Sequence, residues 1–74
     1  MNATEIKSAI ERSQSHNEIV RLEVDDIDEA VSEVESIADE CDYCSGVELG
    51  SVTGTDIWGT LDGSDFRLFL QESK

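Results

Sequence analysis

The sequence predicts one small α+β domain spanning residues 1–74, with elements in the order α-β-α-β-β-β. Three observations predict it. Two stretches repeat apolar residues at the helical period, and later stretches alternate at period two. Asp62-Gly63 joins the last two alternating runs, and this dipeptide suits a tight hairpin whose central positions both take positive φ. The expected object is a four-stranded mixed sheet with the second helix packed on one face.

The first helix is expected over Asn2 to Ser15, where Ala3, Ile6, Ala9 and Ile10 form a narrow apolar stripe. Asn2 followed by Glu5 resembles a capping box with Asn in place of Ser or Thr. Glu18 to Val24 alternates as a strand, with Val20, Leu22 and Val24 on one side and Ile19, Arg21 and Glu23 on the other. Asp26 to about Cys41 is the clearest helix. Ile27, Ala30, Val31, Val34, Ile37, Ala38 and Cys41 keep its period, and Asp26 is the expected N-cap. Asp39, Glu40 and Asp42 then oppose the dipole at its C-terminal end.

Three strands follow, over Tyr43 to Val52, Asp56 to Leu61 and about Phe66 to Leu70, with Thr53-Gly54 as a looser turn. The strand–helix–strand crossover predicts the first two strands parallel, and the rest a meander. Trp58, Phe69 and Ile19 should project from the sheet face opposite the second helix, with Arg21 and Arg67. Gly46, Glu48 and Gly50 should leave room beside them for a large ring. Either the first helix covers this face with Ile6 and Ile10, or the face serves self-association or a partner, since a bare aromatic patch is costly in a monomer.

Charge excludes several functions. Five Lys and Arg against 18 Asp and Glu give a net charge of −13. Direct nucleic-acid binding through a basic patch is excluded, because such a field repels phosphate. No apolar run is long enough to span a membrane. No signal-peptide core follows Met1, so the cytoplasm is the expected compartment. Between Leu22 and Phe66 there are 14 acids and no Lys, Arg or His. General solubility or salt adaptation accounts for such acidity, and so does a functional acidic face.

Signals for catalysis or cofactors are weak. Cys41 and Cys44 form a CxxC, but a structural zinc needs two more ligands and only His16 is on offer. Redox pairs favour a helix N-terminus, whereas this pair is expected at a helix C-terminus among Glu40 and Asp42, which disfavours thiolate. Both thiols are expected reduced and metal-free, with a metal shared across a dimer or a redox role as alternatives. His16 reads as a solvated turn residue. The carboxylates lie on a convex helix face without a cleft to shift a pKa, so no enzyme is expected. No EF-hand loop pattern and no Asp-Ser-Leu of an acyl carrier occurs. No cofactor is expected.

The acids themselves are the candidate site: Asp25, Asp26, Asp28, Glu29, Glu33, Glu35, Asp39, Glu40 and Asp42. On a helix reaching Cys41, Asp28, Glu35 and Asp39 share one line, with Glu29, Glu33 and Glu40 beside it. The eight acids from Asp26 to Asp42 cover about 24 Å at helical rise. That is about one charge per 3 Å, near the roughly 3.4 Å per phosphate of one DNA strand.

Small size, extreme acidity and a helix laid on a short sheet from Glu18 to Leu70 resemble the phage-encoded inhibitors of bacterial defence, the anti-CRISPR and anti-restriction proteins, some of which mimic DNA. The resemblance is of type and carries no motif. It implies a non-enzymatic inhibitor that occupies the DNA channel of a Cas effector in the host cytoplasm, as a monomer or weak homodimer. The alternatives are an antitoxin-like or regulatory partner of a basic protein, and an acidic, solubility-adapted domain of a halophile.

Overall fold

The computed structural model describes residues 3–73. The elements are α1 (Ala3–His16), β1 (Ile19–Val24), α2 (Ile27–Ile37), β2 (Glu40–Leu49), β3 (Val52–Leu61) and β4 (Ser64–Glu72). This is the expected α+β order with a four-stranded mixed sheet. The capping role expected of Asn2 lies outside the described residues. No helix among them is long and apolar enough to cross a membrane.

The strands lie in the order β1-β4-β3-β2. β1 pairs parallel with β4, while β4, β3 and β2 pair antiparallel in sequence-neighbour order. β1 and β2 do point the same way, but they occupy opposite edges, so the parallel neighbour of β1 is β4. Burial explains the order. Phe66, Leu68, Phe69 and Leu70 of β4 are all at most 3% exposed, which suits an interior strand flanked on both sides. β2 carries Glu40, Asp42, Ser45 and Glu48, and such a polar strand suits an edge.

α2 ends four residues before the apolar period does. Asp26 caps its start as expected, accepting from the Glu29 N–H at 3.3 Å. At the other end Ala38 is already extended. The Asp39 N–H donates to the Thr60 carbonyl at 3.0 Å, and the Asp39 carboxylate accepts from the Asp62 N–H at 3.0 Å. The β3–β4 hairpin thus captures the chain. Ala38 and Cys41 still pack against the core from an extended backbone, which is why they mimic a helical stripe.

Two turns differ in legibility. Asp62 and Gly63 take φ of 53° and 81°, as the hairpin expectation required. The β2–β3 turn is Gly50-Ser51, with Gly50 at φ 69°, and not Thr53-Gly54, which lie within β3. A bulge between Cys44 and Val47 places Ser45 and Gly46 opposite one residue, Thr55. It turns Val47 and Leu49 to the face expected for Gly46, Glu48 and Gly50, because a one-residue shift reverses every later side chain.

Both helices cover the same face. Ile6, Ala9 and Ile10 of α1 join Val31 and Val34 of α2 over Ile57, Leu68 and Leu70 of the sheet. Ser13 extends the α1 stripe and is 2% exposed; its hydroxyl accepts from the Arg67 N–H at 2.8 Å and lies 2.6 Å from the Glu18 carbonyl, to which it donates. Gln14 donates to the Leu61 and Ser64 carbonyls at 2.7 and 3.0 Å. The expectation that α1 covers the aromatic face is therefore corrected. A helix there would have to desolvate Arg21, Glu23, Asp42 and Asp65, and burying such charges without partners is costly.

Candidate partner-binding surfaces

The acidic helix face is shorter than the sequence implied. Asp28, Glu29 and Glu35 are exposed on α2 and Glu33 is half-buried. Asp25 and Asp26 are exposed just before the helix. Asp39 lies beyond it, and Glu40 and Asp42 belong to β2, so these three do not extend the helical row. At about 100° per residue, Asp28 and Glu35 form one track and Glu29 and Glu33 a second. Ser32 and Ser36 fill the strip between them, with Ser36 donating back to the Ser32 carbonyl at 3.0 Å. Asp28 to Glu35 spans about 10 Å at helical rise, still near 3.5 Å per interval for four acids. None of the nine candidate acids has a cationic partner among the described residues. Asp25, Asp26, Glu29 and Glu33 also border a small notch beside Ile6, of 50 Å³.

The second surface is the sheet face turned away from both helices. Cross-strand pairing sets its rows. Asp42, Trp58, Arg67 and Ile19 form one row across all four strands. Cys44, Asp56, Phe69 and Arg21 form the next, and Glu40, Thr60 and Asp65 flank the first row on its other side. Trp58 is 39% exposed, whereas Phe69 is buried at 1%. The Phe69 ring lies over Gly54, where a Cβ would stand 3.0 Å from two ring carbons. Over Trp58 and Arg67 runs an open groove of 1090 Å³, with the Asn17–Glu18 turn on one side and β2 on the other.

Asp56 anchors this face. It is 6% exposed and accepts from Arg67 Nε at 3.0 and 3.1 Å, with a further contact from Nη2 to Oδ2. The hydrogen bond to Asp56 raises the Arg67 pKa above its ordinary value. This pair was missed in the sequence, although a signal existed. A two-residue Asp62-Gly63 turn sets Trp58 opposite Arg67, which places Asp56 diagonally beside the guanidinium.

The cysteines part company. Cys41 pairs with Gly59 and Cys44 with Asp56, three residues apart on one regular strand, so they face opposite sides of the sheet. One ion cannot be held by both, nor can they bond to each other without rebuilding β2. Cys41 is not the last residue of a helical stripe but a half-buried strand residue. Burial, Glu35 and Asp42 push its pKa up to about 11. His16 is exposed at the end of α1. No group of three metal-ligating side chains stands together among the described residues.

Comparison with known proteins finds no counterpart: no family model, curated protein or solved structure matches the chain.

Proposed function

We propose that this chain is a non-enzymatic acidic inhibitor that occupies a basic nucleic-acid-binding site on another protein. The observation that carries this reading is the α2 face: carboxylates in two tracks, Asp28, Glu29 and Glu35 exposed and Glu33 half-buried, without cationic partners among the described residues, on a helix fixed to the sheet by Ala30, Val31 and Val34. Fixed charge binds better than mobile charge, because less side-chain and backbone entropy is lost on docking. The negative field also speeds encounter with a basic partner. The target type that the anti-CRISPR resemblance implies is a Cas effector complex, whose channel recognises backbone charge and shape. Action on such a target places the protein in the host cytoplasm.

The test titrates the purified chain into a Cas effector complex and follows loss of DNA binding. The combined variant Asp28→Lys, Glu33→Lys, Glu35→Lys is expected to inhibit about tenfold more weakly or worse, at well under 1 kcal/mol per exposed pair before reversal doubles the effect. Its stability should move by only about 0.5 kcal/mol per site. Inhibition by the parent should weaken steeply with added salt. A triple variant that folds and inhibits as well as the parent refutes the reading. So does a parent that binds no basic protein and unfolds at low salt, as a salt-adapted domain would.

A further inference from the structure

We infer that the open sheet face is a docking groove for an extended, arginine-bearing peptide segment of a partner protein. This surface lies across the sheet from α2 and does not depend on the reading of the helix acids. Trp58 is the anchor. It is a large ring left 39% exposed at the centre of a four-strand row, where an aromatic side chain commonly carries much of a binding energy.

Charge selects the occupant. Arg67, the cation beside Trp58, is already committed to Asp56, so that pair is neutral and held in place. What remains in the groove lining is acidic: Asp42 directly across on β2, Glu40 and Asp65 one row away, and Glu18 at the groove side, while Arg21 of the same face stands outside the lining. A cation stacked on Trp58 therefore finds both a ring face and carboxylates. A planar guanidinium uses both together, since it stacks on aromatics and forms paired hydrogen bonds to carboxylate. A second copy of the chain would bring the same −13 field and is repelled. Phosphate-bearing ligands are repelled for the same reason. Ile19 and Val47, at opposite sides of the groove, supply apolar contacts for residues flanking the arginine. The 1090 Å³ volume exceeds what one side chain needs and suits a length of extended chain.

The probe is a short extended peptide alternating valine with arginine, beside its citrulline counterpart of equal shape and no charge. Both are titrated at physiological salt, which suppresses general attraction to the acidic surface. Trp58 is the only tryptophan, so its emission reports the site. The arginine peptide is expected to change that emission and to shift the amide signals of Asp42, Trp58 and Arg67. The citrulline peptide should do neither. Trp58→Ala should weaken binding ~5- to 30-fold, the range of a cation–ring contact that becomes partly desolvated. Glu33→Lys with Glu35→Lys should change it much less. Amide shifts clustered on α2, or a folded Trp58→Ala variant that binds like the parent, would overturn the proposal. If Trp58→Ala does not fold, the shift map on the parent chain decides alone: shifts in the Trp58 row support the proposal, and their absence there overturns it.

Discussion

Replacing Ser13 by alanine should cost about 2 kcal/mol, although it removes one oxygen atom. The hydroxyl sits between the backbone of Glu18, just before β1, and that of Arg67 in β4, at 2% exposure. It accepts from the Arg67 N–H and donates to the Glu18 carbonyl. Losing the acceptor leaves a backbone N–H unsatisfied, which costs ~1–3 kcal/mol, and the lost donor bond adds ~1 kcal/mol. The better helix propensity of alanine returns about 0.5 kcal/mol. With a urea m-value near the lower end for a chain this small, ~1 kcal/mol per molar, the unfolding midpoint should fall by about 2 M. Ser8→Ala, exposed on the same helix, is the matched control and should move the midpoint little. Hydrogen exchange gives the local readout, since the Arg67 amide should lose protection in Ser13→Ala alone. Equal midpoints for the two variants, or an Arg67 amide that keeps its protection, would refute the assignment of this hydroxyl.

Other perturbations separate neighbouring residues. Gly59→Ala would drive a Cβ into the Glu40 carbonyl, backbone against backbone, and should cost more than about 3 kcal/mol; Gly63→Ala meets open space and should lose only about 1 kcal/mol to its positive φ. Thermal melts of the two variants check the order. An aromatic disulfide reagent at mildly alkaline pH should label exposed Cys44 first, with Cys41 slower by about tenfold or more because its thiolate is scarce. The raised Cys41 pKa also has a stability sign. The unfolded chain gives up this proton first, so stability is whole below the ordinary thiol value of 9.0 and declines as pH rises through about 11. Cys41→Ser should flatten that decline between the two values in urea titrations.

Local chemistry in this chain could be read locally. Asp26 caps α2, Asp62-Gly63 turns the last hairpin, and the β4 alternation places Phe66, Leu68 and Leu70 inward. Three features resisted because they are decided by contacts far apart in sequence. Ala38 and Cys41 keep the helical period although both pack on the core from extended backbone, and the bonds from Asp39 to the β3–β4 hairpin settle the matter. The Ser45–Gly46 bulge leaves a glycine as its only local trace, yet it reverses Val47 and Leu49. The side chosen by α1 depends on Ser13 meeting Arg67, 54 residues away. The candidate surfaces divide in the same way. Asp28, Glu29 and Glu35 are exposed where helical spacing put them, whereas Glu40 and Asp42 join Trp58 because β2 begins early.

The interior position of β4 also fixes when the molecule can exist during its own synthesis. β4 is the last of the six elements to leave the ribosome, yet it lies between β1 and β3. Until Ser64–Glu72 is available, β1 has no strand to pair with and Ser13 lacks the Arg67 N–H from which it accepts. Of the three strand pairings only β2–β3 can form before then, and an isolated hairpin is marginal in water. The long loop between β1 and β4 must close in one late step, at an entropic cost that grows only slowly with its length. The four-stranded sheet therefore closes only once this interior strand arrives, and until then the chain's negative charge keeps it apart from its neighbours.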